Sequence, residues 1–275
     1  MVLPNFLIVG AMKAGTSWLA FNLTEHPQVF MPDKELHFFN DEKKFERGLQ
    51  WYASNFAKAG NTVAIGEKTA GYLLNQETPE RLAKLLDNPK IIMVLRDPVK
   101  RAISQINHHM RYGDIPPDKL NPDNWVNSEI FSRIDKEFAI LERGRYLEQV
   151  KRYYSIFDAD NILVLINEID IQKESEKALA RTCKFLGVDS TFKFESKEKK
   201  IHNNKNSKLG TLLAYRFSAL RPLIAKIDRF IPGDKIPPFK PSKTELKKLY
   251  EIYQEDNQRL FDFFERDLPA TWKGI

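Results

Sequence analysis

Short, uninterrupted apolar runs alternate along the chain with longer segments whose apolar positions recur at helical spacing. Four runs have the length of buried strands, namely Asn5–Val9, Thr62–Gly66, Lys90–Leu95 and Asn161–Ile166. The helical segments are Thr78–Leu86, Val99–Met110, Arg145–Tyr154, Lys173–Leu186 and Ser242–Phe264. Because strands buried on both faces are continuously apolar, this alternation predicts an α/β fold with a central parallel sheet flanked by helices.

Three irregular stretches interrupt the pattern, and none has the composition of a long flexible linker. They are Gly113–Asn127, Ser196–Lys208 and Phe230–Pro241. A chain of 275 residues is long enough to bury one large core. We therefore predict a single three-layer domain over residues 1–275.

Composition narrows the class of protein. Lys and Arg number 43 against 37 Asp and Glu, a mild excess that favours anionic ligands without requiring nucleic acid. The one cysteine, Cys183, excludes an intramolecular disulfide and is expected to be a buried helical thiol. No apolar run approaches the roughly 18 residues of a membrane span, and the N-terminus lacks a signal-peptide pattern. We therefore predict a cytoplasmic protein without an integral membrane segment.

A glycine-bounded turn, residues 10–18, follows the first predicted strand and leads into a helix. Backbone N–H groups at a helix N-terminus bind phosphate, because they lie at the positive end of the helix dipole. Lys13 adds a cation, and Thr16 and Ser17 add hydroxyl donors. The two glycines are spaced as in a P-loop, so we predict a domain of the P-loop type. The lysine precedes the second glycine instead of following it, which argues against ATP or GTP hydrolysis.

A second candidate phosphate contact lies at the end of the third predicted strand. Arg96 stands at the carboxyl edge, where open α/β sheets bind ligands, and Ser104 follows about two helical turns later. A guanidinium and a hydroxyl so placed suit a phosphate group. Asp97 and Pro98 have the residue types of a helix cap and a first helical position, and Arg101 is expected at the surface.

Together these segments resemble the sulfotransferase family that uses 3′-phosphoadenosine 5′-phosphosulfate (PAPS). Lys-Ala-Gly-Thr-Ser at 13–17 matches the family's 5′-phosphosulfate loop, and Arg96 with Ser104 matches its 3′-phosphate motif. The other matching segments are 34–39, 66–69 and 161–165. The resemblance covers most of residues 5–190 and is closest to the heparan sulfate branch of the family.

The resemblance implies transfer of a sulfuryl group from PAPS, the co-substrate, to a hydroxyl or amine, without a metal. It makes Glu35 the general base that removes the acceptor's proton, with His37 helping to orient or share that proton. Glu35 lies between Lys34 and His37, so its pKa is expected to be low. Lys13 stabilises charge on the leaving phosphate in this interpretation, and Lys68 lies near the acceptor.

The nucleotide-binding residues implied by the resemblance come from four parts of the chain. They are Lys13, Ala14, Gly15, Thr16, Ser17, Trp18, Arg96, Ser104, Tyr146 and Lys205. Trp18 is a candidate for stacking on adenine, although core packing explains a tryptophan in a first helical turn equally well. Tyr146 ends a stretch that matches the family near the nucleotide. Lys205 or Lys208, in the basic loop 202–208, is the candidate for closing over the 3′-phosphate.

Two other classes of function stay open on the residues alone. A P-loop kinase needs a lysine directly after Gly15 and a carboxylate for Mg²⁺ at another strand end. Thr16 occupies the first position, and Asp97 is the near candidate for the second. A non-catalytic phosphoadenosine- or nucleic-acid-binding module is disfavoured, because no basic stripe is interleaved with aromatic residues. We therefore expect no nucleic-acid partner.

The acceptor is expected to be a glycan, a glycolipid or a small molecule. Segments 40–60 and 111–127 are predicted to shape its cleft, because they mix aromatic residues with charges. The aromatic residues are Phe45, Trp51, Tyr52, Phe56 and Trp125. Such a mixture suits a sugar, a lipid headgroup or an amphipathic small molecule.

Overall fold

The computed structural model describes residues 1–116, 119–196, 213 and 237–274. The strands within these ranges are β1 (Phe6–Gly10), β2 (Val29–Phe30), β3 (Ala64–Lys68), β4 (Lys90–Leu95) and β5 (Ile162–Ile166). The helices are α1 (Thr16–Leu23), α2 (Glu42–Phe45), α3 (Gly48–Ser54), α4 (Thr78–Leu85), α5 (Pro98–Arg111), α6 (Glu129–Phe138), α7 (Tyr146–Tyr154), α8 (Ser175–Leu186) and α9 (Lys243–Phe263). Shorter 3₁₀ or π turns cover Glu142–Gly144, Ala159–Asn161, Asn167–Ile171 and Ala270–Trp272.

The chain divides into two compact units. The first comprises Met1–Arg96 and Tyr146–Ile201 and contains the sheet. The second comprises Asp97–Arg145 and His202–Ile275 and is built from helices in its described part. The single domain over residues 1–275 stays a prediction.

The five strands of the first unit are all parallel and lie in the order β2-β3-β1-β4-β5. Helix α1 packs on β1 and β3, and α8 packs on β5 and on α1. This arrangement confirms the predicted α/β fold with a central parallel sheet. The strand order changes direction at β1, so the carboxyl ends of β1 and its neighbours form the edge where such sheets bind ligands.

Burial explains why the central strands are continuous apolar runs. Every residue of β1 is buried, and in β4 only the first residue, Lys90, is partly exposed. Strand β1 pairs with β3, and Phe6 of β1 lies opposite Gly66 of β3. A Cβ added at Gly66 would lie 2.3 Å from the ring of Phe6. The glycine therefore lets that ring lie directly against the β3 backbone. In α8, Cys183 is buried as predicted, and burial raises the pKa of its thiol to about 11.

The second unit has a hydrophobic core of its own, formed by α5, α6 and α9 with the segment before α6. Its members include Val99, Ile106, Met110, Ile115, Leu120, Trp125, Phe131, Ile134, Leu249 and Tyr253. Asp97 caps α5 by accepting from the N–H groups of Val99 and Lys100, and Pro98 takes the first helical position, as predicted. The described parts of the stretch 113–127 contain no α-helix or strand, as expected, yet they contribute apolar side chains to this core.

Arg101 is not at the surface, so that prediction is wrong. Its side chain is fully buried, and Nη1 donates to Gln105 Oε1 at 2.6 Å while Nη2 donates to the Ile140 carbonyl. The guanidinium thus satisfies polar groups inside the second unit, which is how a buried arginine becomes tolerable. Within the described ranges, no helix is both long enough and apolar enough to cross a membrane.

Candidate active site

The turn between β1 and α1, residues 10–17, is called the glycine loop below. Gly15 precedes α1 with φ +112°, and a Cβ there would lie 2.6 Å from Asn167 Nδ2, so the position requires glycine. Among the described residues no side chain caps the N-terminus of α1, and its first turn contains no acidic residue. Both features suit an anion at this end of the helix.

Two side chains from neighbouring strand ends hold the carbonyl groups of the glycine loop. Arg96 Nη1 donates to the Lys13 carbonyl at 3.0 Å, and Asn167 Nδ2 donates to the Ala14 carbonyl at 2.7 Å. Gln172 Nε2 donates to Asn167 Oδ1 at 2.6 Å, which fixes the orientation of that amide. In a trans peptide the N–H points away from the C=O, so these contacts direct the N–H of Gly15 away from Asn167.

Asn167 is absent from the sequence prediction, although a signal for it exists. It is the first residue after β5, at the same carboxyl edge of the sheet that suggested Arg96. A polar residue at that point of a buried parallel strand is a candidate for contact with a loop or ligand.

Two further residues, Tyr146 and Glu168, fix the position of Arg96. The hydroxyl of Tyr146 donates to the Arg96 carbonyl at 2.8 Å, and Glu168 Oε1 lies 3.9 Å from the Arg96 Nε. Tyr146 is fully buried, so its contribution to nucleotide binding would act through Arg96. About a quarter of the Arg96 side chain, 26%, stays exposed at the sheet edge. A guanidinium fixed in this way suits a phosphate group.

A second group of polar side chains brings Glu35, His37 and Lys68 together. Lys68 Nζ lies 2.5 Å from Glu35 Oε1, and His37 Nε2 lies 3.2 Å from Glu35 Oε2. Lys68 Nζ is also 3.5 Å from Ser17 Oγ of the glycine loop. Lys68 therefore joins the carboxylate to the loop, and three of the four predicted catalytic residues lie in one cluster.

The cluster sets the acidity of Glu35. Burial by itself would raise the pKa of this carboxyl, but the His37 hydrogen bond and the charge and hydrogen bond of Lys68 lower it to about 2. These contacts agree with the low pKa expected for Glu35. Its causes are His37 and Lys68, which comes from the end of β3, instead of the adjacent Lys34.

Several aromatic residues predicted to shape the acceptor cleft are core residues instead. Tyr52 and Phe56 are fully buried, and Tyr52 stacks on Phe38 with ring centroids 4.5 Å apart and planes 16° apart. Trp125 is fully buried in the core of the second unit. For these three residues the prediction is wrong, because their rings fill the space under polar segments. Trp51 instead packs against Arg47, whose guanidinium carbon lies 4.2 Å from the centroid of the Trp51 ring.

The remaining predicted binding residues are not brought to this cluster by any described contact. Ser104 lies half-buried on α5 in the second unit. Trp18 is half-buried in the first turn of α1, where its carbonyl accepts from Asn22 Nδ2 at 2.9 Å. Lys205 and Lys208, with the rest of loop 202–208, lie outside the described residues.

The carboxylate that a kinase would need for Mg²⁺ is already in use. Asp97 is fully buried, and besides capping α5 it accepts from the hydroxyl of Tyr250 at 2.9 Å. Over the part of the chain that the structure describes, no three His, Cys, Asp or Glu side chains form a group able to hold a metal ion. A reaction without a metal stays a prediction.

Comparison with known proteins decides the family. The family model described as "Sulfotransferase domain" matches residues 3–257. The chain belongs to the sulfotransferase family. It is 39% identical over 136 residues to membrane-associated sulfotransferase kil1 of Dictyostelium discoideum, covering 47% of this chain and 28% of that protein. It is 30% identical over 188 residues to human heparan sulfate glucosamine 3-O-sulfotransferase 3B1, covering 68% of this chain and 46% of that protein.

A solved bacterial structure shares the fold of this sulfotransferase. The crystal structure of a sulfotransferase from Alicyclobacillus acidocaldarius matches with a TM-score of 0.68 and 23% identity, covering 99% of this chain and all of the other. The chain spans less than half the length of the two curated relatives named above. The predicted sulfotransferase family and the similarity to heparan sulfate enzymes are thus confirmed.

Proposed function

We propose that this sulfotransferase transfers the sulfuryl group of PAPS to a hydroxyl or amine of a glycan, with Glu35 as the general base. The observation that carries the proposal is the position of Lys68 between Glu35 and Ser17. It puts a carboxylate one side chain away from the loop expected to hold the phosphosulfate. A base so placed is close to the point where an acceptor would meet the donor.

The donor side supplies the groups that PAPS requires. The N-terminus of α1 and the hydroxyls of Thr16 and Ser17 suit the 5′-phosphosulfate, and Arg96 suits the 3′-phosphate. Lys13 would stabilise the charge that develops on the phosphate as PAP leaves. The fit between these residues and a nucleotide with separate anionic groups at its 3′ and 5′ positions supports PAPS over ATP.

The proposed step is an in-line displacement at sulfur. The acceptor oxygen or nitrogen forms a bond to sulfur while the bond from sulfur to the phosphate oxygen breaks. The acceptor's proton passes to Glu35, and 3′-phosphoadenosine 5′-phosphate (PAP) leaves with the electron pair of the broken bond. A neutral alcohol needs this base, because it is a poor nucleophile until its proton is removed in the transition state.

The low pKa of Glu35 places a condition on this step. A carboxylate whose pKa is about 2 is a weak base, and it stays weak while Lys68 and His37 both bond to it. In the proposed reaction Lys68 turns toward the donor, which also carries negative charge, and the basicity of Glu35 rises. Lys68 and His37 thereby act in catalysis, Lys68 on the donor and His37 on the proton.

The names of the relatives support a glycan acceptor. They include a heparan sulfate glucosamine 3-O-sulfotransferase and a bifunctional heparan sulfate N-deacetylase/N-sulfotransferase. A glycolipid or a small-molecule acceptor is the alternative outcome of the test below.

The test begins with calorimetric titration of the protein with PAP, ATP and AMP, without added metal. We expect PAP to bind much more tightly than AMP, because both phosphates are recognised. Labelled PAPS is then offered with glucosamine oligosaccharides that carry either free or acetylated amines. Transfer to either supports a glycan acceptor. Transfer to both indicates a hydroxyl as the acceptor, whereas transfer that requires the free amine indicates nitrogen. Tight ATP binding with no preference for a 3′-phosphate would overturn the proposal.

A further inference from the structure

A buried carboxylate lies beside the segment that carries Glu35 and His37. Glu67 of β3 is fully buried, and its Oε1 accepts from the hydroxyls of Tyr52 at 2.7 Å and Tyr72 at 2.9 Å. Its Oε2 accepts from Thr69 Oγ1 at 2.8 Å. Burial raises the pKa of Glu67, although these three hydrogen bonds oppose the rise. A carboxyl held by three hydroxyl donors in the interior is an unusual choice for packing alone.

Two of the three hydroxyls also bind the backbone next to Glu35. Thr69 Oγ1 accepts from the His37 N–H at 3.3 Å, and the Tyr72 hydroxyl oxygen accepts from the Phe39 N–H at 3.4 Å. A hydroxyl has one hydrogen and two lone pairs. Because Glu67 takes the hydrogen of both groups, their lone pairs are left to face the two backbone N–H groups.

The anchored backbone has a conformation that most residues avoid. His37 has φ +56°, in the left-handed region that non-glycine residues rarely adopt. In this conformation its ring meets Glu35 Oε2 through Nε2 at 3.2 Å and Asn40 Oδ1 through Nδ1 at 3.3 Å. The hydrogen bond from the His37 N–H to Thr69 Oγ1 therefore helps to fix the position of the imidazole.

We propose that Glu67 is a positioning residue for this reaction, holding His37 against Glu35 through the hydroxyls of Thr69 and Tyr72. The inference rests on the proposed role of Glu35 and adds to it a buried support from β3. Glu67 itself is out of reach of any substrate, so its effect on the chemistry passes through His37.

The first test compares two substitutions at one position. Thr69→Val keeps the branched shape but removes the hydroxyl, whereas Thr69→Ser keeps the hydroxyl. The readout is the titration of the Glu35 carboxyl carbon, followed by NMR in protein labelled at glutamate side chains. We expect Thr69→Val to raise the pKa of Glu35 from about 2 toward its ordinary value of 4.5, because the His37 hydrogen bond is lost. Thr69→Ser should titrate like the wild-type protein.

The second test separates positioning from simple stabilisation. Tyr52→Phe removes a donor to Glu67 but no contact with the His37 or Phe39 backbone, so Glu35 should titrate as in the wild type even where the melting temperature falls. Glu67→Gln replaces one acceptor oxygen of the carboxylate by an NH₂ donor. Like Thr69→Val, it should raise the pKa of Glu35. If Thr69→Val does not fold, Tyr72→Phe takes its place, because it removes the acceptor for the Phe39 N–H.

The outcomes distinguish this inference from the proposed function. Unchanged Glu35 titration in both Glu67→Gln and the folded hydroxyl-deletion variant would overturn the positioning role. An equal rise in Tyr52→Phe would overturn it too, because general loosening of the core would then explain the effect. PAP binding is measured on the same samples and should be unchanged. Failure of the wild-type protein to bind PAP would count against the proposed function alone.

Discussion

The glycine loop and the segment 35–39 lie at the same sheet edge and are held by different sets of contacts. In the loop, Arg96 and Asn167 donate to backbone carbonyls. In the segment, Thr69 and Tyr72 accept from backbone N–H groups, and the carbonyls of Leu36 and Phe39 also accept from side chains. A loop that presents N–H groups to an anion must keep those groups accessible, whereas a segment that presents a carboxylate and an imidazole can have backbone groups of both kinds bonded to the protein. The supporting contacts therefore differ with what each region presents.

This contrast predicts that the two regions fail differently. Changes on the loop side should weaken nucleotide affinity, and changes on the segment side should lower turnover or alter the titration of Glu35. Lys68 is in contact with both regions, since it touches Glu35 and Ser17.

The largest expected effect is on the segment side. Glu35→Gln should lower turnover by about 10²–10⁴-fold, which is the usual contribution of one general base, and should leave PAP affinity unchanged. Steady-state rates with the acceptor found in the screen, together with calorimetry, measure the two quantities. Normal turnover of this variant would move the base elsewhere, with His37 as the next candidate.

On the loop side, Arg96→Ala should weaken PAP binding by about 10–100-fold. The estimate takes about 1.5–3 kcal/mol for a lost charge-assisted hydrogen bond, at 1.4 kcal/mol per tenfold change. Calorimetry should show a smaller loss for AMP, because AMP lacks the 3′-phosphate. Equal losses for PAP and AMP would mean that Arg96 acts only by holding the Lys13 carbonyl.

A smaller loss of PAP affinity is expected when a neutral side chain that supports the glycine loop is removed. Asn167→Ala removes one hydrogen bond to the Ala14 carbonyl and should weaken PAP binding by about 2–10-fold, from about 0.5–1.5 kcal/mol. The matched control is Asn161→Ala, in the turn that leads into β5, where the amide bonds only to Asn88 Oδ1 in an exposed contact. If both variants bind PAP equally well, Asn167 does not support the loop.

The smallest effect concerns stability and pH. The folded pKa of Glu35, about 2, lies below its ordinary value of 4.5, so this group stabilises the fold above pH 4.5 and loses that contribution as the pH falls toward 2. The unfolding free energies of wild type and Glu35→Gln should therefore converge in acid. The difference at neutral pH should be about 1 kcal/mol at most, because solvent screens a partly exposed pair. Urea unfolding at several pH values measures it, and a difference that grows in acid would contradict the assignment.

The sheet was predictable because its signal is local. The β4 limits, Lys90–Leu95, agree with the predicted run, whereas β1 is shifted by one residue at both ends and β5 begins one residue later than predicted. Strand β3 begins two residues later than predicted, and β2, with two residues, is too short to leave a periodic pattern. Helices α2, α3 and α6 were not predicted either. A strand buried on both faces leaves a run of consecutive apolar residues, whereas a short helix has too few turns to show a clear helical period.

The support of the site was not predictable, because its contacts join residues far apart in the chain. In the sequence, nothing distinguishes Glu67 from other polar residues near the end of a strand, and Tyr52 was predicted to line the acceptor cleft. Their hydrogen bond across 15 residues depends on the packing of α3 against the sheet. Arg101 likewise was predicted to be a surface residue, and one of the two partners that make its burial tolerable, the Ile140 carbonyl, is 39 residues away.

Local sequence thus determined the buried strands, the glycine loop and the charged residues at the strand ends, since steric limits and periodic burial act over a few neighbouring residues. Only the tertiary structure decided which groups meet: Lys68 with Glu35 across 33 positions, and Asn167 with the Ala14 carbonyl across 153. Hydrogen bonds and pKa values depend on distances of a few ångströms, and those distances are set by how the strands align in the sheet.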